Sequence, residues 1–446
     1  MFRTGLKALL LAAVATTAFA GAASAGKLTI ESWRNDDATI WKEKIIPAFQ
    51  AKHPDITVEF TPTAPKEYNA ALNARLEGGT AGDIITCRPF DASLELFNKG
   101  YLAGLNDVPS MSGFSDVAKS AWSTDDGKTT FCMPMGSVIH GFIYNKDIFA
   151  ELKLAEPKTE DEFFAVLETI KKDGKYVPLV LGTNDQWEAA TMGFQNIGPN
   201  YWKGEEGRKK LIDGTGKLTD PEYVNAFAAL AKWAPYMGEG YKAQTYPDSQ
   251  NLFSLGKGAI YAAGSWDIST FRGQNVPMGA FKPPVPAGAT DCYISDHTDI
   301  GIGMNAKSAN AADAKVFLDW IGSDEFANIF ANALPGFFPL SSAKVTISDD
   351  VAQTFVGWRG ECKSTIRDSY QILSRGTPNL ENEMWNVSAQ VLNGTMTPEA
   401  ASAQLEDGLK KCTHHTRNRL TIGGRWKFQR PFFIPGGDHG KTNNGA

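Results

Sequence analysis

Between residues 27 and 87 the hydrophobic pattern changes period four times, and this alternation constrains the fold more than any other feature of the chain. Lys27–Trp33 (KLTIESW) reads as a strand that ends in a polar turn, Arg34-Asn35-Asp36-Asp37. Ile40, Trp41, Ile45, Ile46 and Phe49 then recur at helical spacing until Pro54. Ile56–Phe60 is a second strand, and residues 66–77 form a helix with Tyr68, Leu72 and Leu76 on one face, stopped by Gly78-Gly79. Asp83–Cys87 is a third, short strand. A β-α-β-α-β rhythm predicts a mainly parallel sheet with helices on both faces. Ligands of such sheets sit beyond the carboxyl ends of the strands, where Arg34, Asn35, Asp36, Arg88 and Asp91 fall.

The same grammar continues. Ser137–Tyr144 reads as a strand, Glu160–Lys171 as an amphipathic helix, Pro178–Leu181 as a buried strand and Gly256–Ala263 as another. Three strands end in a turn that pairs a tryptophan with an aspartate: Trp33 with Asp36, Trp187 with Asp185, and Trp266 with Asp267. Carbohydrate requires this pairing. The C–H face of a sugar ring stacks on an aromatic plane, and its hydroxyls need carboxylates and amides at fixed angles. Packing is the competing reading for any one of the three, since the chain holds 11 Trp.

The chain opens with a short basic region (Arg3, Lys7), an apolar stretch Ala8–Ala20 and Ala23-Ser24-Ala25, the pattern of a secretory leader cut after Ala25. The remaining 421 residues suit two domains better than one core. Net charge is −6, but residues 412–446 carry +5, so residues 1–411 carry −11, and −13 without Arg3 and Lys7. An acidic body argues against nucleic acid as a partner. The five cysteines form no C-x-x-C pair, so zinc-ribbon and thioredoxin chemistry lack support. One or two disulfides are open, and sequence does not pair them. No G-x-S-x-G, H-E-x-x-H, Walker loop or EF-hand loop occurs, and no cofactor or metal is implied. His414 and His415 lack partners for a metal site. Residues 412–446 are basic, Gly- and Pro-rich and aperiodic, and are expected to be disordered.

Over about residues 27–411 the chain resembles the extracellular solute-binding proteins of bacterial ABC importers, in the group that includes maltose-binding protein. Seven pieces stand in the family's order: LTIESW, IIPAFQAKHPDITVEF, GDIITCRPFDASLELFNKGYLAGLND, GFIYNKDIFAELKL, LFSLGKGAIYAAGSW, FLDWIGSDEFANIFA with GFFPLSSA, and EMWNVSAQVLNGTMTPEAASAQLEDGLKK. The resemblance implies two discontinuous α/β lobes joined by crossing strands, with a ligand cleft between them. The expected lobes are residues 26–138 plus 297–343, and 139–296 plus 344–411. It further implies a monomeric periplasmic sugar-binding subunit that closes by hinge bending and delivers its ligand to a membrane permease pair with a cytoplasmic ATPase.

Residues carry over as follows. Trp266 falls on the family's stacking tryptophan, with Asp267 beside it. Asp185 and Trp187 match the post-strand loop of the second lobe, and Trp33, Arg34, Asn35 and Asp36 the first-strand loop. Arg88 and Asp91 follow the third strand. Maltose-binding protein has an aromatic close to the position of Cys87, and the difference argues away from a maltodextrin ligand. Ser137 and His140 sit on the crossing strand, where alternation lets only one face the cleft unless the strand bulges. His297 and Asp299 precede the return strand, Phe337 follows Gly336, and Trp385 divides evenly between packing and binding. Arg34 and Arg88 would suit an acidic or phosphorylated sugar unless each orients a neighbouring aspartate. The rival readings are a binding protein for a polyol or a glycerophosphate-like ligand, and a periplasmic glycoside hydrolase with two carboxyl groups in its cleft.

Overall fold

The structure, a computed structural model, describes residues 26–420, with side chains through Lys411. The leader read over residues 1–25 lies outside the described residues, as do residues 421–446. Among the described residues no helix is long and apolar enough to cross a membrane.

Among the described residues ten strands form one continuous hydrogen-bonded system: β1 Gly26–Ser32, β2 Ile56–Pro62, β3 Ile84–Cys87, β4 Cys132–Asn145, β5 Val177–Val180, β6 Gly258–Gly264, β7 Met278–Phe281, β8 Tyr293–Met304, β9 Phe338–Pro339 and β10 Lys363–Thr365. The order along the sheet is β2-β1-β3-β8-β4-β6-β5. β1 pairs in parallel with β2 and β3, and β5 in parallel with β6, as the β-α-β rhythm requires. The sheet as a whole is mixed and not mainly parallel. β3 meets β8, and β4 meets β6, β7, β8 and β9, all antiparallel.

β4 and β8 are the two long strands that join the lobes. β4 pairs with β8 from Cys132 to Ile139 and with β6 from His140 to Tyr144, so its partner changes where one lobe gives way to the other. Pro134 and Gly136 interrupt the β4–β8 register twice, between Pro134 and Ser137. Such a bulge re-aims the side chains that follow it. β6 is buried at all seven positions (GAIYAAG), consistent with a strand covered on both faces. Its final residue must be small. A Cβ at Gly264 would stand about 2.0 Å from the ring of Trp266, which folds back over it.

Two disulfides close what sequence left open. Cys87–Cys132 ties β3 to β4, and Cys292–Cys362 joins the approaches to β8 and β10. The last helix, Pro398–Leu420, continues nine residues past Lys411. This corrects the expectation of disorder from residue 412. Residues 412–420 contain no Gly or Pro, so an established helix propagates through them, since each added residue gains a hydrogen bond without a new nucleus.

Candidate functional site

The first-strand turn and the second-lobe loops meet across a cleft with a mouth and a floor. At the mouth, Asn35, Pro65 and Lys66 from the first lobe and Asp185, Trp187 and Tyr246 from the second line a cavity of about 220 Å³. Trp187 stands half-buried, with the Tyr246 ring edge-on at 4.8 Å. Gln186, at φ 64°, holds a left-handed conformation that is uncommon for a non-glycine residue, and the turn it makes presents Trp187 to the cavity. Asp185 is fixed by the backbone N–H of Tyr246 at 3.0 Å and faces Lys66 Nζ at 3.6 Å.

Behind Asn35 lies a buried charge cluster. Arg34 Nε donates to Asp37 at 2.5 Å, and its terminal nitrogen sits 3.0 Å from Asp36. The guanidinium lies over the Phe337 ring at 4.9 Å. Asp37 accepts from Ser269 Oγ of the second lobe at 3.3 Å, an inter-lobe contact that sequence reading did not single out. Burial pushes Asp36 up to about 6, with Arg34 pulling it down and Asp37 pushing it further up. Burial alone would lower Arg34, and its two aspartates more than offset that. Asp267 is wholly buried. It accepts from the Tyr246 hydroxyl at 2.6 Å and Gln250 at 3.1 Å, and burial pushes it up to about 7. Glu188, held by Ser249 Oγ at 2.9 Å, is driven well above the carboxylate range by burial.

The floor is the crossing-strand region. Trp266 is only 4% exposed and packs on Gly264 and, edge-on, on His140 at 5.3 Å. His140 and His297 place their Nε2 atoms 3.0 Å apart. His297 Nδ1–H is directed at the Thr298 carbonyl at 2.8 Å, so its Nε2 accepts and His140 donates. Burial drives both imidazoles well below their usual range, so both are neutral. Ser137 is engaged by the Phe338 carbonyl, to which it donates at 3.3 Å, and by Arg359, from which it accepts at 3.1 Å.

On the other flank Arg88 lies over the Trp33 ring at 4.5 Å and donates to Asn69 and the Pro65 carbonyl; among the described residues no carboxylate pairs with it. Asp299 stands 3.9 Å from Arg367, which also reaches Glu381 at 3.3 Å and lies over Tyr370. Trp385 borders a polar crevice with Thr191, Gln195 and Arg367. Asp91 faces Arg375 at 2.5 Å. Asn35, Asp185 and Trp187 therefore converge on one space, whereas Ser137 and Asp91 are occupied by other side chains. Lys66, Tyr246 and Arg367 were not singled out from sequence. The signal for Tyr246 was present: Thr245 and Asp248 form a capping box that starts a helix with an aromatic at its first position.

Comparison with known proteins fits this two-lobe geometry. Residues 44–354 match the bacterial extracellular solute-binding protein family. An uncharacterized ABC transporter extracellular-binding protein of Pyrococcus horikoshii is 26% identical over 59% of this chain and 54% of its own length. The chain thus spans about half the length of that relative. The multiple sugar-binding protein of Streptococcus mutans is 22% identical over 77% of this chain and 80% of its own. Among solved structures, the solute receptor AcbH, described with an exclusive preference for β-D-galactopyranose, superimposes with a TM-score of 0.75 at 21% identity, covering 87% of this chain and 99% of the receptor. A chitin oligosaccharide binding protein gives 0.74 at 19% identity, covering 88% and 100%. With two α/β lobes, crossing strands between them and a family match over most of its length, the chain belongs to the bacterial extracellular solute-binding proteins.

Proposed function

We propose that this chain captures a neutral sugar in the cleft between its lobes, closes on it and delivers it to a permease pair powered by a cytoplasmic ATPase. The observation that carries the reading is the mouth, where half-buried Trp187 stands beside Asn35 and Asp185. A flat apolar wall next to fixed amide and carboxylate groups suits a sugar ring. The cavity has room for roughly seven waters, the scale of one ring and not of a long chain.

Charge favours a neutral ligand over a phosphate. Arg34 already serves Asp36 and Asp37, so its guanidinium is not free to receive an anion. Arg88 is spread over Trp33, Asn69 and a carbonyl. The ligands named for the similar proteins, multiple sugars, β-D-galactopyranose and chitin oligosaccharide, support a carbohydrate. In this reading Asn35, Asp185 and Trp187 touch the ligand, Trp33, Arg88 and Asp299 border it, and Asp36, Trp266, Asp267 and Phe337 back it. The lobes divide near residues 138, 296 and 343. The protein is a periplasmic monomer and makes and breaks no covalent bond.

A thermal-shift screen against neutral sugars, polyols, sugar acids and sugar phosphates tests this, because a ligand that binds only the folded state raises the melting temperature. A neutral sugar should give the shift, and Trp187→Ala should reduce it. Shifts confined to acids or phosphates would transfer the site to Arg88. No shift, with reducing sugar released from an oligosaccharide, would replace the reading with a hydrolase.

A further inference from the structure

The segment 366–379, between β10 and the helix Leu380–Leu392, is rooted in the second lobe and reaches across to the first. Its root is polar. Ser374 Oγ accepts from the backbone N–H of Glu381 at 3.1 Å, and Arg367 pairs with Glu381 on the helix. That helix packs against helical segments Ala189–Phe194 and Pro221–Ala231. At its far end Arg375 spends three donors on the first lobe. Nε meets Asp91 at 2.5 Å, and the two terminal nitrogens grip Asp125 at 3.0 and 2.7 Å. Tyr370 adds a ring contact to Phe90 at 5.3 Å. Phe90 itself is held at φ 58°, a conformation uncommon for a non-glycine residue, by its backbone N–H to the Ala121 carbonyl. At the other edge of the cleft Lys66 stands 3.3 Å from the Asn184 carbonyl and 3.6 Å from Asp185.

We propose that Arg375 sets the affinity of this protein by holding the lobes closed, without touching the ligand. The bidentate grip on one carboxylate and the single bond to another exist only when the lobes meet. A ligand that needs the closed form binds more weakly as the closed fraction falls. Asp91, read from sequence as a ligand contact, then serves closure. The affinity half of this inference rests on the binding-protein reading above, and the closure half does not.

The test separates the two. Small-angle scattering of the ligand-free chain, without residues 1–25, is recorded at low and high salt for wild type, Arg375→Gln and Asp125→Asn. Asp125 is exposed on a hairpin turn, so its variant breaks the grip without disturbing the core. Wild type should be compact at low salt and expand at high salt, because a partly exposed pair is screened. Both variants should be expanded at low salt and indifferent to salt, and Arg375→Lys should restore part of the compaction. Superimposable ligand-free profiles for wild type and both variants would overturn the proposal, whatever the ligand proves to be. For any sugar found in the screen, both variants should raise Kd about threefold to tenfold through faster dissociation. Altered scattering with an unchanged Kd would retain closure and overturn the affinity role.

Discussion

Trp266 at the floor of the cleft and Trp187 at its mouth begin from the same local plan, a strand, a polar turn and a tryptophan beside an aspartate. They end differently. Trp266 is 4% exposed, folded back on Gly264 and set edge-on against His140 between the crossing strands. Trp187 is half-buried and borders an open cavity with Tyr246. The difference follows from what precedes each ring. β6 ends in Ala262-Ala263-Gly264, and Gly264 leaves room for the Trp266 ring, whereas the turn before Trp187 runs through left-handed Gln186 and directs the ring outward. One motif therefore supplies a buried ring at the floor and a half-buried candidate stacking ring at the mouth.

The largest consequence is for stability. Trp266→Ala should destabilise the ligand-free protein by about 3–5 kcal/mol, the usual range for deleting a buried tryptophan. Equilibrium denaturation in urea measures it. A loss within the error of the extrapolation would mean that the floor is not core, and the comparison would collapse. Trp187→Ala should do the reverse. It should leave the urea midpoint nearly unchanged and weaken sugar binding by about 1–3 kcal/mol, read by calorimetry with the sugar found in the screen. Loss of stability without loss of binding would make Trp187 the packing residue.

These two rings also show what was legible in the sequence. Period and punctuation located β1, β2, β3 and the helix from Pro65 to within a residue or two, because a half-buried element writes its geometry into every second or fourth side chain. The ordered family pieces pointed to two lobes. The crossing strand reads only from Ser137, whereas it begins at Cys132, because Pro134 and Gly136 sit in a bulge and carry no strand pattern. Other features depend on residues far apart in the chain and have no local pattern. Arg375 reaches Asp91 and Asp125 across 250 residues or more, and Cys87 finds Cys132 at a separation of 45 residues, on strands that β8 parts in the sheet. Exposure of a tryptophan is likewise set by the space opposite it, so Trp187 and Trp266 read alike until the lobes are assembled. The early stop at residue 411 came from grouping helix-compatible residues with the Gly- and Pro-rich stretch that follows.

Tyr246 joins the two regions, since its ring lines the mouth and its hydroxyl bonds Asp267 at the floor. Asp267 makes that joint sensitive to pH. Burial raises it from 3.8 to about 7 in the folded chain. A carboxyl raised by folding contributes stability that is fully present below its unfolded value and is lost as pH rises through its folded value. Between pH 4 and pH 7 the ligand-free protein should therefore lose stability through this group, with a slope of at most ~1.4 kcal/mol per pH unit. Asp267→Asn keeps an acceptor for Tyr246 and removes the titration. Asp36, raised to about 6, acts in the same direction, and the two neutral histidines act in the opposite one. All three remain in the variant, so they largely cancel in the difference between the two proteins. Urea midpoints of both proteins at pH 5, 6 and 7 give that difference. Diverging profiles, with wild type falling faster, place a protonated carboxyl beneath the mouth. Parallel profiles would mean that Asp267 is ionised throughout, and floor and mouth would then be electrostatically independent.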